Sequence, residues 1–403
     1  VAEAVSHIPE GLSVLVVGAG MYVRGDSKGY HGTIGPALLE GVRKGLVQRI
    51  CVVTTSKETA EYAVRALRAL ADDMGLTGVA LQALEPSDDL GKLAADTGCQ
   101  AACVSVPDHL HEDICVDLAE AGVHILVVKP MASSLAGALR MYAAAKTAGV
   151  VAQVEFHKRL DESNLVLFSE IRKGSLGKLQ YATVTYSQQK RIPEHEFRSW
   201  SNKSNIFQYL GVHYVDLLYW ATGFKPMAVT AWGQKDYLVS RGIDTWDSMQ
   251  VVVEWLRPDG GCFVSTHMSN WIDPDVSSAV SDQKISVVGS SGRLDLDQKH
   301  RGVQLLTDGV PVRDLNPYFT QGLYSQDGGS LRFSGYGIRS ILQFLQQACH
   351  AQGAAKGVLD CDVQCTDFRE GVISTAVIDA ARKSLQSDSR KVMVALAEDI
   401  LES

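Results

Sequence analysis

The chain has 403 residues, 46% hydrophobic and 21% charged, a globular composition that excludes a disordered chain. Single domains run to about 100–200 residues, so two are expected. Its 46 acidic residues outnumber 38 basic ones, for a net charge of −8, which argues against a sequence-independent grip on nucleic acid, and no apolar run approaches the ~20 residues that cross a bilayer.

Residues 1–11 lack a basic stretch followed by an apolar one, so no signal peptide is expected. Eight cysteines (Cys51, Cys99, Cys103, Cys115, Cys262, Cys349, Cys361 and Cys365) are scattered without a CxxC. That spacing reads as free thiols in a reducing cytoplasm. The Asn202-Lys203-Ser204 glycosylation triplet carries no weight in that compartment.

The first third alternates strands and helices. Val14–Val17 is a β-branched strand, residues 33–46 a helix, Ile50–Thr54 a strand and Ala60–Met74 a helix. Then come Ala101–Val106 (strand), His111–Ala121 (helix), His124–Val128 (strand), Ser134–Ala148 (helix) and Val150–Phe156 (strand). Runs apolar on both faces, alternating with helices, predict a doubly wound α/β domain around a parallel sheet. The pattern changes near 150–157. After a helix at Asp161–Lys173, period-two segments follow at Gln180–Gln188, Ala228–Lys235, Met249–Trp255, Gly261–Ser269 and Gln283–Gly289. They predict a large, mostly antiparallel open sheet, and helices at about 336–351 and 366–385 close the chain. The expected division is a dinucleotide-binding Rossmann domain at 1–155 and a substrate-binding and oligomerisation α/β domain at 156–403, whose last helices pack back toward the first.

Val14-Leu15-Val16-Val17-Gly18-Ala19-Gly20 carries the strongest local signal. Glycines off a strand allow a tight turn and let backbone amides approach a pyrophosphate. The third glycine of the fingerprint is replaced by Val23, and Gly25, Gly29, Gly32 and Gly35 follow, which describes a stretched phosphate loop running from Met21 to Thr33 or an ordinary glycine-rich turn. The second strand ends Thr54-Thr55-Ser56-Lys57. Without a carboxylate for a ribose, Ser56 and Lys57 suit a 2′-phosphate, favouring NADP over NAD. Alternatively Ser56 caps the next helix and Lys57 is solvated.

Two further segments, Val106-Pro107-Asp108-His109-Leu110-His111 and Val127-Val128-Lys129-Pro130, lie at carboxyl ends of strands, where such a sheet holds its ligand. With the opening GxG, with Gly211-Val212-His213-Tyr214-Val215-Asp216, and with Asp367-Phe368-Arg369-Glu370-Gly371 opening the last long helix, they resemble the glucose–fructose oxidoreductase/inositol dehydrogenase (Gfo/Idh/MocA) family over nearly the whole chain. The resemblance implies nicotinamide-dependent oxidation of a sugar or cyclitol hydroxyl, or the reverse. It places Lys129 on the catalytic lysine and His213 on the catalytic histidine. Gly18, Gly20, Met21, Val106, Pro107, His111 and Pro130 become cofactor contacts beside Ser56, Lys57 and Lys129. It also implies a homodimer or homotetramer through the second sheet, whose open face needs covering.

The sequence departs from the family pattern at Val128, where glutamate is usual, and at Tyr209, where the aspartate of the histidine element is usual. The usual upstream glycine cluster is replaced by Asn205-Ile206-Phe207-Gln208. On a helix Tyr209, His213, Leu217 and Trp220 share one stripe, so Tyr209 is expected to supply a phenol beside His213, or else to pack. A lysine next to a cationic nicotinamide and partly desolvated becomes neutral and acts as a base, while a histidine shares or orients the proton. Lys129 could instead be a solvated loop residue and His213 a satisfied core histidine. A sugar groove is expected from Lys158, Arg198, Trp200, Asn205 and Asp216, among Arg159, Arg191, Asn202 and Gln208; Asp216 either binds a hydroxyl or buttresses its helix. His109, His111 and Cys115 do not have the spacing of a metal site. Two other classes stay open: an NAD-dependent glycoside-cleaving enzyme that oxidises its sugar transiently, and a non-enzymatic nucleotide-sensing regulator.

Overall fold

The computed structural model describes residues 11–25, 30–326, 329–353, 366–396 and 400. Six strands, β1 (Leu12–Val17), β2 (Val47–Val53), β3 (Ala80–Ala83), β4 (Ala101–Val104), β5 (His124–Val128) and β6 (Ala152–Glu155), pair in parallel in the order β3-β2-β1-β4-β5-β6. The order reverses between β1 and β4, which opens a crevice at their carboxyl ends. The intervening helices are α1 (Met21–Arg24), α2 (Ile34–Arg43), α3 (Lys57–Asp73), α4 (Leu90–Thr97), α5 (His111–Glu120) and α6 (Leu135–Ala148). The central strands are apolar throughout because both faces are buried: Leu15, Val17, Cys51 and Ile125 enter one core, Val14, Val16, Ile50 and Cys103 the other. Ser56, Asp89 and Ser134 start α3, α4 and α6 by accepting backbone N–H groups. Strand β3 and helix α4 were not anticipated. The strand is a half-exposed edge, so it lacks the apolar run that marks its neighbours.

The chain leaves the first sheet at Glu155, forms α7 (Glu162–Arg172), and enters a second sheet. Its elements are β7 (Leu179–Gln189), α8 (Val212–Thr222), β8 (Lys225–Gln234), α9 (Tyr237–Ser240), β9 (Ser248–Leu256), β10 (Cys262–Asp273), β11 (Ser281–Gly289) and β12 (Arg293–Asp297). The order is β12-β11-β7-β10-β9-β8, with the short strand Val392–Met393 at the far edge. Only β7 and β10 pair in parallel among these strands, so the sheet is mostly antiparallel. Met249, Val251, Val253 and Trp255 alternate inward from β9, while Tyr181, Trp232 and Met268 stand exposed on the other face.

Two long helices, α10 (Tyr336–Ala351) and α11 (Phe368–Gln386), tie the sheets together. Ile338, Ile341, Phe344 and Leu345 of α10 share a core with Leu38 of α2. Helix α11 packs on α6, α8 and β8. At Gly371 a Cβ would fall 2.6 Å from the Met131 sulfur and 2.7 Å from Val154, so glycine lets α11 approach the turn that carries Lys129. Among the described residues no helix is long and apolar enough to cross a membrane.

Candidate active site

The carboxyl ends of β1, β4, β5 and β6 meet at one edge, and the sequence segments singled out above meet there too. Gly18 turns off β1 with φ +92°. A Cβ there would fall 2.2 Å from the Ser105 carbonyl oxygen and 3.0 Å from Val106, so the turn after β1 touches the turn after β4 only because residue 18 is glycine. A Cβ at Gly20 would meet nothing within 4 Å. That open cradle, facing Met21 at the start of α1, fits the close backbone approach of a dinucleotide's phosphates. Instead of the unbroken loop expected to Thr33, the chain forms α1 and returns with Thr33 N–H on the Tyr22 carbonyl, 2.8 Å; Gly29 lies outside the described residues.

His111 links the next two turns. Its Nδ1 lies 2.9 Å from the Pro130 carbonyl oxygen and its Nε2 3.0 Å from that of Val106. Burial holds its pKa below the ordinary value, so the neutral ring donates through one nitrogen while spanning Val106-Pro107 and Lys129-Pro130, the latter a cis peptide.

Lys129 is half-buried at the end of β5. Its Nζ donates to the Tyr209 carbonyl at 2.8 Å and lies 3.5 Å from the centroid of the Tyr209 ring. Burial pulls its pKa down to about 7, helped by Lys158 and opposed by the carboxylates of Glu155 and Asp108. The ring of His213, on α8, lies tilted 4.9 Å from the ring of His157 and also packs on Phe156 and Tyr186. Burial, with His157, Lys129 and Lys158 close by, holds its pKa well below the ordinary value. Its Nδ1 is buried without a hydrogen-bond partner among the described residues.

With this geometry in hand, comparison with known proteins is decisive for the family. Residues 12–156 match the model described as "Oxidoreductase family, NAD-binding Rossmann fold", and residues 168–295 match "GFO/IDH/MocA C-terminal domain". The chain belongs to the Gfo/Idh/MocA family. It is 26% identical over 221 residues to myo-inositol 2-dehydrogenase of Thermotoga maritima, covering 55% of this chain and 63% of that enzyme. It is 24% identical over 234 residues to the NAD(+)-dependent scyllo-inositol 2-dehydrogenase of Bacillus subtilis, covering 58% of this chain and 66% of that one. The matched stretch thus spans less than two thirds of either relative. Among solved structures, scyllo-inositol dehydrogenase from Lactobacillus casei, with bound NAD(H) and scyllo-inositol, superposes with a TM-score of 0.65 over 96% of this chain and 100% of that one, at 14% identity. Aldose-aldose oxidoreductase from Caulobacter crescentus gives 0.66 over 95% and 99%, at 16% identity. At those identities the likeness is one of fold.

Within this Gfo/Idh/MocA scaffold several residues stand elsewhere than the sequence led one to expect. Ser56 caps α3, its Oγ accepting from Thr59 N at 3.2 Å. Lys57 reaches the Ala83 carbonyl at 3.1 Å and Glu85 at 3.0 Å, away from the glycine turn. The cation beside that turn is Arg24, donating to the Ala19 carbonyl at 2.9 Å and lying 4.8 Å from the Tyr62 ring centroid. Tyr209 meets Lys129 through its ring face and carbonyl. It packs on Phe197, Trp200 and Trp271, whereas the ring neighbours of His213 are Phe156, His157 and Tyr186, so the expected phenol–histidine pair is not formed. The reason is local: residues 207–211 form a π turn ahead of α8, which breaks the uniform helical stripe.

In the expected sugar groove, Asp216 departs most clearly. Both its oxygens are taken by Arg159, at 2.6 and 2.9 Å, and Arg159 also binds Glu370 at 3.1 Å, so Asp216 buttresses α8. Lys158 is buried between the Tyr186 and Tyr214 rings; its Nζ donates to Gln283 and, at 3.2 Å, to Gln298. Burial pulls its pKa down to about 8. Asn205 caps the π turn through Gln208 N, 2.8 Å. Arg198 is exposed beside Gly242. Trp200 is half-buried and packs 4.5 Å from Phe197 and 5.8 Å from Tyr209, so its ring adjoins the lysine's platform, as does Asn205, whose carbonyl accepts from Tyr209 N–H at 2.9 Å. His109 contacts Lys203, apart from His111.

Sequence reasoning passed over four side chains that belong here: Asp108, Tyr22, Glu155 and His157. Asp108 Oδ2 accepts from Ser204 at 2.7 Å and Gln208 at 2.6 Å. Glu155 Oε2 accepts from Tyr22 at 3.0 Å and from His157 Nδ1 at 2.7 Å. No local signal marked the pair: Glu155 ends β6, and His157 lies beyond it in the 3-10 turn His157–Leu160, so strand alternation does not bring the two together.

Proposed function

We propose that the chain is an NAD(P)-dependent oxidoreductase that moves a hydride between nicotinamide and a secondary hydroxyl or ketone of a sugar, glycoside or cyclitol. The observation that carries this reading is Lys129, directly after β5 at the carboxyl edge of the parallel sheet, its amine held on the Tyr209 carbonyl and ring with its pKa pulled down to about 7. Residues 1–155 would bind the dinucleotide and 156–403 the substrate.

A bound nicotinamide supplies the hydride acceptor or donor. Gly18, Gly20 and Met21, with the Val106-Pro107 turn, would hold it. Lys129 then takes the hydroxyl proton on Nζ in the oxidative direction and returns it in reduction. The Tyr209 carbonyl and ring fix the amine in place, since a cation over an aromatic face gains about 1–2 kcal/mol. His213, kept neutral by burial, orients the same hydroxyl. Trp200 offers an apolar face to the sugar ring.

Arg24 beside the glycine turn, together with the strand end Val53-Thr54-Thr55 lacking a carboxylate, supports NADP over NAD. Named relatives include a myo-inositol and a scyllo-inositol dehydrogenase, which supports a cyclitol or sugar as the alcohol. The exposed Tyr181, Trp232 and Met268 on the open sheet support a homodimer or homotetramer through that face. Buried free thiols at Cys51, Cys103 and Cys115 suit a reducing cytoplasm.

Lys129→Met tests the reading. Nucleotide binding by fluorescence titration should persist, while turnover of myo-inositol, scyllo-inositol or D-glucose falls by about 10²–10⁴-fold, the usual scale of general acid–base catalysis. Undiminished turnover would rule the lysine out.

A further inference from the structure

Two histidine rings lie side by side at the site, and they are served unequally. His213 has a buried Nδ1 with no partner among the described residues. His157 has a carboxylate: its Nδ1 donates to Glu155 Oε2 at 2.7 Å, and the same oxygen accepts from the Tyr22 hydroxyl at 3.0 Å. The other oxygen, Oε1, is buried and has no hydrogen-bond partner among the described residues, and the residue is 1% exposed. Leaving half of a buried carboxylate unsatisfied is costly. The Arg159 cluster nearby shows how this protein treats a carboxylate that only holds the structure together. Glu155 ends β6 in register with Val128, the residue before Lys129. It therefore stands between the lysine's turn and the paired histidines.

We propose that Glu155 is a positioning residue for proton transfer, holding His157 with Nδ1–H toward the carboxylate and presenting a negative charge to the Lys129 turn. A carboxylate on one ring nitrogen fixes the tautomer and leaves Nε2 as an acceptor. When Lys129 takes the hydroxyl proton, its neutral amine becomes an ammonium; the hydride from the carbinol carbon would go to a bound nicotinamide. The Glu155 charge stabilises that ammonium, which by itself would be poorly solvated there. The inference rests on Lys129 being the group that takes the proton. The groups facing Lys129 are Glu155 from β6, Asp108 from the turn after β4, Lys158 from the turn after β6, His213 from α8 and Tyr209 from the π turn. Glu155 is faced in turn by Tyr22, His157 and Cys103. Of the two carboxylates near the lysine, Glu155 acts on it more strongly than Asp108.

The test compares pH profiles of kcat/KM for alcohol oxidation in the wild type, E155Q and E155D, with myo-inositol, scyllo-inositol and D-glucose as probes. Losing the negative charge makes the ammonium harder to form, so the acid limb of E155Q should move about one unit lower. Its kcat should fall about 10–100-fold with KM little changed. E155D keeps the charge and should keep the limb. A merely structural glutamate would lower activity without moving the limb, and an unmoved limb overturns the proposal. If E155Q does not fold, E155M, which leaves no new polar atom to satisfy, carries the same measurement. If none of the probes is turned over, NMR of the histidine ring nitrogens decides: a single Nδ1–H tautomer at His157 that becomes mixed in E155Q supports the proposal, and an unchanged spectrum overturns it. K129M separates the two claims. Turnover by K129M would defeat the lysine reading. An inactive K129M with an unmoved E155Q limb would defeat the glutamate alone.

Discussion

Arg159 and Lys129 are two cations at the same edge of the parallel sheet, held in opposite ways. Arg159 is 2% exposed and fully matched: a two-pronged bond to Asp216 and a second carboxylate in Glu370. Its pKa is driven upward by those partners against the effect of burial, so it never gives up its proton. Lys129 has no carboxylate within ion-pair distance among the described residues. It touches a carbonyl oxygen and an aromatic face, and burial brings its pKa down to about 7. A matched cation joins β6, α8 and α11; an under-matched one with a lowered pKa is the kind of group the proposed proton transfer needs. Lys158 falls between them, bonded to two glutamine oxygens with its pKa near 8.

The largest effects should separate the two cations by kind of damage. K129M should lose about 10²–10⁴-fold in turnover while keeping its fold. D216A should do the reverse in character: Arg159 keeps only Glu370, and breaking its two-pronged buried pair should cost stability, up to about 3–5 kcal/mol, readable as a fall in the denaturant midpoint with nucleotide binding intact in the surviving folded fraction. If D216A is as stable as the wild type but catalytically dead, Asp216 is a substrate ligand after all and the comparison breaks.

Next in size is a stability signature of the lysine. Its folded pKa of about 7 lies below the ordinary 10.5, so between those values the unfolded chain binds more protons than the folded one. Stability from this group therefore rises with pH across that window and has no slope below it. K129M should be more stable than the wild type at pH 7, and the gap should close toward pH 10. Urea titrations at several pH values check this, and a constant gap would contradict it.

Smaller again is Arg24→Ala. It should weaken NADPH binding about tenfold, the scale of a charge-assisted contact of roughly 1.5 kcal/mol, and leave NADH affinity nearly unchanged; equal losses for both would argue that Arg24 serves only the turn. The smallest effect belongs to Tyr209→Phe. The lysine uses the ring and the backbone carbonyl, so turnover should stay within a few-fold; a large loss would restore the phenol to catalysis.

What the sequence shows and hides follows the same division. The parallel strands were legible because a sheet buried on both faces leaves unbroken apolar runs such as Val14–Val17 and His124–Val128, and the second sheet because Ala182, Val184 and Tyr186 alternate with exposed neighbours. Gly18 and Lys129 could be placed because each lies directly at a strand end. The remaining site residues depend on partners far away in the chain. Tyr22 meets Glu155 across 133 residues, Lys129 meets Tyr209 across 80, and Arg159 meets Glu370 across 211. Local chemistry pointed the wrong way for Lys57, whose distant partner at Glu85 decides its direction. A helical stripe placed Tyr209 beside His213, and a single π turn undid it. Glu155 and His157 were hidden because nothing local tells a buried carboxylate at a strand end from an exposed one.

The central claim is that Lys129 is an amine able to be neutral at physiological pH. Its most direct test is reductive methylation with isotope-labelled formaldehyde, the Lys129 signal assigned by its absence in K129M, followed by an NMR titration. A midpoint near the value of about 7 given by its surroundings is the predicted result; an amine that holds its proton until about pH 10, as a solvated lysine does, would contradict the account.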